Sequence, residues 1–162
     1  MSEIPQVNTS QPVFSIEKVY VKDLSLEIPN APAVFLEREA PAVDIQLHHN
    51  TTSVENGVYQ TVLTATVTAK AGDRTMFLVE VAQAGIFTIR NVPQAEMDAV
   101  LAIACPNILF PYVREVVSET VSRAGFPPVI LSPVNFEAAY AQQRGQQPAQ
   151  EPVQIITPGV SH

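Results

Sequence analysis

The sequence predicts an α+β domain, a four-stranded antiparallel sheet with helices packed on one face. Three observations predict it. From Val13 to about Ile89 apolar residues recur at period two, the period of strands with one face in a core. From Pro93 onward the period becomes three and four, which is helical. The length of 162 residues fits one domain, whose core needs no disulfide or metal staple. Strands first and helices second make an α+β domain.

Residues 1–12 are polar, carry two prolines and read as a flexible N-terminal arm. The first strand runs from Val13 to Ile28. Phe14, Ile16, Tyr20, Leu24, Leu26 and Ile28 share one parity and are assigned to the core, with Lys18 and Lys22 as exceptions. Glu17, Val19, Val21, Asp23, Ser25 and Glu27 take the other, partly acidic face. One wet face favours an antiparallel sheet. Pro29-Asn30-Ala31-Pro32 stops the strand. Between Pro32 and Pro41, Val34-Phe35-Leu36 is expected in an extended loop, not a helix. The second strand is expected from Val43 to about His48, ended by Asn50-Thr51-Thr52-Ser53. The third covers Val58–Ala69 and the fourth Thr75 to about Ile89, with turns at Asn56-Gly57 and Ala71-Gly72-Asp73.

Pro93 to Ala104 is predicted as one short helix, and Cys105-Pro106 as the start of another. Ile108, Leu109, Tyr112, Val113, Val116, Val117, Thr120 and Val121 form its apolar stripe. Pro111 predicts a kink and Gly125 a left-handed end cap. Phe126 to Val134 is a loop, and a last helix runs from about Asn135 to Gln142. The domain thus spans 13–142. Residues 143–162, rich in Gln, Pro and Gly, are expected to be disordered.

Composition narrows the function. Hydrophobic residues make up 46% and charged ones 15%, the latter well below the usual ~25%. That excludes disorder throughout. A formal charge of −7 argues against nucleic acid and anionic membrane and for a basic partner. The single cysteine, Cys105, excludes an internal disulfide and a thiolate zinc site, and fits a reducing cytoplasm. The N-terminus lacks the basic and apolar regions of a signal peptide. No uninterrupted apolar run reaches ~18 residues, so no membrane insertion is expected.

Catalytic signals are weak. His48 and His49 are adjacent on a strand, point to opposite faces and cannot both bind one metal. Cys105 lies near a helix start, but no histidine has a reason to approach it, and a buried structural thiol is the better reading. The carboxylates are dispersed, and neither a phosphate loop nor a dinucleotide glycine pattern is present. The chain therefore reads as a binding protein with no catalytic residue, metal or cofactor.

Two features call for a binding role. Val34-Phe35-Leu36, Phe126 and Val129-Ile130-Leu131 are apolar residues in loops, which normally lie at the surface. They cap a core or an oligomer interface, or they line a groove for extended apolar segments. The second feature is an acidic strand face. Asp23 and Glu27 share one side of strand one. In strand four Leu78 and Glu80 share a face, while Phe77, Val79, Val81 and Gln83 lie opposite, in a core or a subunit interface.

These residues resemble the SecB protein-export chaperones. The likeness is carried by Val21-Lys22-Asp23-Leu24-Ser25-Leu26-Glu27-Ile28-Pro29-Asn30-Ala31-Pro32-Ala33-Val34-Phe35, by Phe77-Leu78-Val79-Glu80-Val81 and by Ala84-Gly85-Ile86-Phe87. The strongest segment is Cys105-Pro106-Asn107-Ile108-Leu109-Phe110-Pro111-Tyr112-Val113-Arg114-Glu115. Val121-Ser122-Arg123, Phe126-Pro127 and Pro133-Val134-Asn135-Phe136 continue it, in order, over residues 13–140.

The resemblance implies a cytoplasmic chaperone without ATPase activity. It implies a homotetramer, a dimer of dimers, that keeps precursor proteins unfolded and delivers them to the SecA ATPase. By likeness, Asp23, Glu27, Leu78 and Glu80 engage SecA, and Phe77, Val79, Val81 and Gln83 are tied to oligomer assembly. The client groove then involves Val34, Phe35, Leu36, Val43, Ile45, Phe126, Ile130, Leu131, Phe136 and Tyr140. One departure stands out: Glu39 occupies a place where the family often carries Trp, and the chain has none. The alternatives are a SecB-like chaperone dedicated to one toxin–antitoxin pair, an adaptor for a single folded partner, and an enzyme using Cys105.

Overall fold

A computed structural model of the chain describes residues 10–145 and 153–155. The sheet is built from β1 (Val13–Glu27), β2 (Ala42–Glu55), β3 (Val58–Ala71), β4 (Arg74–Arg90) and β5 (Val153–Ile155). The spatial order is β1-β4-β3-β2-β5, with every neighbouring pair antiparallel. β2, β3 and β4 form a meander. Its turns place Gly57 and Gly72 at φ of 75° and 58°, where a side chain would be strained.

The four long strands and their antiparallel pairing match the prediction. β2 is longer than expected. Asn50 to Ser53 stay in the ladder opposite Val62 to Tyr59, because the tight turn is at Asn56-Gly57 and the polar run precedes it. The predicted tail also differs: Val153–Ile155 adds a strand to β2. The rest of 146–162, like residues 1–9 of the arm, lies outside the described residues.

The parity assignment in β1 needs correction. Register shifts fall between Ile16 and Lys18 and between Val21 and Asp23, so Glu17 and Lys22 are each an extra residue. A bulge of one residue swaps the faces, and a second swaps them back. Val19 and Val21 therefore pair with Gly85 and Gln83 on the helix side. Tyr20 turns to the opposite face, where its hydroxyl donates to Gln60 Oε1.

The two predicted helices are one continuous helical rod from Gln94 to Arg123. It comprises α1 (Gln94–Ala99), a π stretch at Val100–Ala104 and α2 (Cys105–Arg123). Pro106 lacks an N–H, yet the rod does not end there. The Cys105 N–H reaches back to the Val100 carbonyl, a five-residue step that widens the helix just ahead of the proline. The rod also passes through Pro111. By length and composition it could cross a bilayer, but Leu109, Val113, Val117 and Val121 are fully buried against β3 and β4. Gly125, at φ 93°, ends the rod as expected. Asn135 Oδ1 accepts the Ala138 N–H at 2.9 Å and caps α3 (Phe136–Gly145), which extends three residues past the expected end.

The core lies between the rod and the odd-numbered face of β3 and β4, where Leu63, Ala65, Val67, Val79, Val81 and Phe87 are buried. The even-numbered face carries Thr66, Thr68, Leu78 and Glu80 and has no helix on it among the described residues.

Candidate functional site

The segment after β1 is not extended. Ala33–Leu36 forms a single 3₁₀ turn. Val34 N–H donates to Asn30 O at 2.9 Å, Phe35 N–H to Pro32 O at 3.1 Å and Glu37 N–H to Val34 O at 3.2 Å. Asn30 Nδ2 also donates to the Thr75 carbonyl at 2.9 Å, tying the loop to β4. Pro32 sits at φ −86°, ψ −8°, already a turn conformation, so the proline opens the turn instead of forbidding it.

That turn divides its three apolar residues. Val34 goes into the core. Phe35 stacks on Phe126, ring centroids 5.1 Å apart, and Phe126 meets Phe77 at 4.9 Å. Leu36 stands in solvent, 84% exposed, with Ile130 at 62% and Phe35 at 48%. The ten residues assigned to the groove thus separate into a floor and a rim. Val34, Ile45, Phe126, Leu131 and Phe136 are buried floor, Val43 and Tyr140 are half-buried, and Phe35, Leu36 and Ile130 form the exposed rim.

The strand register spreads this surface along β2. Val43 is level with Ala69 and Phe77, next to Phe126. Six residues on, His49 packs edge-on to Phe136 at 6.4 Å, and Phe136 meets Phe110 at 6.3 Å. At ~3.3 Å per residue the two ends lie about 20 Å apart. Arg144 lies over the Tyr140 ring at 5.7 Å, placing a cation at the Phe136 end. Glu39 is exposed near the β3–β4 turn, its Oε2 3.8 Å from where a Cβ on Gly72 would stand.

On the opposite face the register sets Asp23 against Ala82, Ser25 against Glu80 and Glu27 against Leu78. Asp23, Glu27, Leu78 and Glu80 therefore share one patch. The three carboxylates are exposed, and Leu78 is half-buried between them. Thr66 donates its hydroxyl to Glu80 Oε2 at 3.1 Å. Asp44, level with Thr68 on β2, adds another acid to this face. Among the described residues the ion pair is Arg123–Glu119, so these acids carry uncompensated charge.

Phe77, Val79, Val81 and Gln83 are buried on the helix side of β4, beneath their own α2. They are not available as a contact surface. Gln83 Oε1 is buried without a hydrogen-bond partner among the described residues.

Alternation assigns Phe14, Ile16, Leu24 and Leu26 to the core. Together with Val21, which the register shift brings round, they line the helix side of β1, yet each is 39–48% exposed. The rod covers β3 and β4 and stops short of β1. Phe14 retains one ring contact, with Phe87 at 5.7 Å. An apolar strand face reads identically whether its cover comes from its own chain or another, so alternation gave no signal.

Cys105 is fully buried, and burial pushes its thiol up to about 11 although a hydrogen bond with Thr61 pulls the other way. It is a thiol at neutral pH, not a nucleophilic thiolate. His48 and His49 face opposite sides of β2, paired with Thr64 and Leu63. No group of three or more metal-ligating side chains occurs among the described residues.

Comparison with known proteins bears on this arrangement. The family model described as preprotein translocase subunit SecB matches residues 7–147. The protein-export protein SecB of Nitrosospira multiformis is 68% identical over 136 residues, covering 84% of this chain and 86% of that one. That of Methylobacillus flagellatus is 64% identical over 137 residues, covering 85% and 87%. Among solved structures, the SecB-like chaperone Rv1957 of Mycobacterium tuberculosis, in complex with a ChAD peptide from the HigA1 antitoxin, superposes with a TM-score of 0.63. It shares 15% identity and covers 75% of this chain and 91% of its own. At that identity the likeness is one of fold.

Proposed function

This chain belongs to the SecB family and is a chaperone of Sec-dependent protein export, and from that premise we propose how its surfaces divide the work. Unfolded precursors are captured along β2, over the apolar surface running from Phe126 to Phe136. The exposed rim of Phe35, Leu36 and Ile130 above a closed aromatic floor is the observation that carries this reading. A rim residue buried by a client contributes roughly 1.5–3 kcal/mol. Single contacts are weak, but a long client reaches several at once, and they multiply through effective concentration. A folded protein hides its apolar segments and gains none of this. Discrimination then rests on the lack of a fold, with no sequence code and no nucleotide.

The acid patch of Asp23, Glu27 and Glu80 around Leu78 is proposed as the SecA docking face. It fits a basic segment bearing one apolar residue. Its opposite orientation to the client surface allows SecA and client to be held together. The uncovered helix side of β1 and the half-exposed edge of the rod, with Ile108, Tyr112 and Val116, are proposed as the surfaces through which copies assemble into a tetramer. Phe77, Val79, Val81 and Gln83 then act on assembly from beneath, by setting how α2 and β1 are presented. The protein is proposed to work in the cytoplasm as a binding protein, with Cys105 a buried thiol poorly suited to act as a nucleophile.

The direct test is refolding of a chemically denatured export precursor with and without this protein, in the absence of nucleotide. Arrested refolding with the client kept soluble is expected. Unimpeded refolding beside an intact tetramer would defeat the general reading and leave a single dedicated partner, such as one antitoxin, as the alternative.

A further inference from the structure

We propose that the outer edge of β2 is a strand-addition site for extended client segments, and that the chain's own Val153–Ile155 holds this edge until a client displaces it. This rests on the reading that the protein captures unfolded clients along β2.

The placement comes first. β5 pairs antiparallel with β2, Ile155 opposite Ile45, Gln154 opposite Gln46 and Val153 opposite Leu47. These positions lie between the two ends of the apolar surface, Phe126 beside the Val43 level and Phe136 beside His49. The tail strand therefore runs along the edge of β2 at the middle of the stretch assigned to clients.

The grip is short. β2 has 14 residues, and β5 pairs with three of them. The tail's sequence limits it further, because Pro152 and Pro158 bracket Val153-Gln154-Ile155-Ile156-Thr157. The proline ring fixes φ near −65°, away from the roughly −140° of a regular antiparallel strand, so regular pairing runs out at each end of this run. Outside the three paired positions, the main chain along the outer edge of β2 has no strand partner among the described residues. A client without such prolines can engage more of that edge than the tail can.

The chemistry also fits. The run is uncharged and β-branched, as an unfolded segment destined for a sheet would be. Residues 146–152 tether it to α3, a span of at most about 25 Å when fully extended. A short tether gives the tail a local concentration in the millimolar range. The tail thus shields a sticky strand edge when no client is present. It also sets a length threshold: a segment that makes no more ladder bonds than the tail cannot outcompete it, and a longer extended one can.

The test compares the full-length protein with Ile155→Pro, which removes the N–H set against Ile45, and with Ile155→Thr, which preserves strand propensity. A far-ultraviolet spectrum like the parent's checks that both variants fold. The first readout is hydrogen exchange of the Ile45 and Leu47 amides, which point away from β3. Protection is expected in the parent and in Ile155→Thr and lost in Ile155→Pro. The second is affinity for a fluorescein-labelled twelve-residue peptide of alternating Thr and Val with terminal lysines. Ile155→Pro is expected to bind it about three- to tenfold more tightly, because the tethered competitor is gone. The same peptide with proline at every third position, which interrupts both of its edges, is expected to lose that binding. Unprotected parent amides, equal affinity in the parent and Ile155→Pro, or undiminished binding of the proline peptide would each overturn the proposal. Arrest of precursor refolding by the parent, measured alongside, separates the two ideas. Arrest without competition by the tail defeats this inference alone, whereas no arrest in either protein defeats the chaperone reading beneath it.

Discussion

Phe35 stacks on Phe126 at 5.1 Å with an interplanar angle of 24°, and this contact joins the exposed rim of the candidate client surface to the core. Phe126 is buried and rests on Phe77, while nearly half of Phe35 remains in solvent. The two rings therefore have separable roles. Phe126→Ala is expected to cost about 3–5 kcal/mol of stability, read from the midpoint of urea unfolding. Phe35→Asp combined with Ile130→Asp is expected to leave the oligomer folded and weaken client capture, scored by loss of refolding arrest. Unchanged capture by an intact oligomer would remove these residues from the client surface.

Gly125 supports that stack from below. Its φ is 93°, and a Cβ there would lie 3.1 Å from Phe35 Cε1. Gly125→Ala is expected to destabilise by at least about 1 kcal/mol through backbone strain. It should also push the Phe35 ring, so capture should fall together with the thermal midpoint. A neutral result on both measurements would contradict the packing described.

The acid patch makes a charge prediction. Asp23→Lys with Glu80→Lys is expected to weaken SecA binding at least tenfold while refolding arrest persists. The weakening should be greatest at low ionic strength, because exposed charges are screened over a Debye length of about 8 Å in physiological salt. Equal SecA affinity in a titration would sink the assignment.

The uncovered face of β1 makes an assembly prediction. Ile16→Asp with Leu24→Asp is expected to lower the molar mass seen by light scattering while the far-ultraviolet spectrum stays native. Both side chains are more than 45% exposed within one chain, so the change should spare the fold. Retention of the parent's mass would show that this face is not an interface.

His49 makes stability depend on pH. Burial holds its imidazole below the ordinary value of 6.5, and neighbouring His48 adds to the shift. The unfolded chain then binds the proton more readily than the folded one. Stability from this residue is full above about pH 6.5 and declines as pH falls below it. His49→Phe, which keeps a ring against Phe136, is expected to flatten that decline in urea midpoints measured across this range.

Much of the fold was legible because hydrophobic period reports local geometry. The alternation in β2, β3 and β4, the stripe of Leu109, Val113, Val117 and Val121, and the left-handed stop at Gly125 all follow from neighbours a few residues apart. The bulges at Glu17 and Lys22 were visible only as the misplaced lysines of an otherwise regular strand. Pro106 reads as a helix start because a π stretch that absorbs a proline has no signature of its own.

The candidate surfaces were less legible. Leu36 and Val34 are two residues apart and equally apolar, yet one is solvent-exposed and the other lies in the core. The sequence by itself determined the family and the strand and helix content, since each depends on residue type or short spacing. Tertiary structure alone decided which apolar residues are floor and which are rim, that the inner face of β1 is left bare, and that the tail pairs with β2. The reason is physical: burial depends on what lies within a few ångströms in space, and a chain encodes that through contacts between residues far apart in its order.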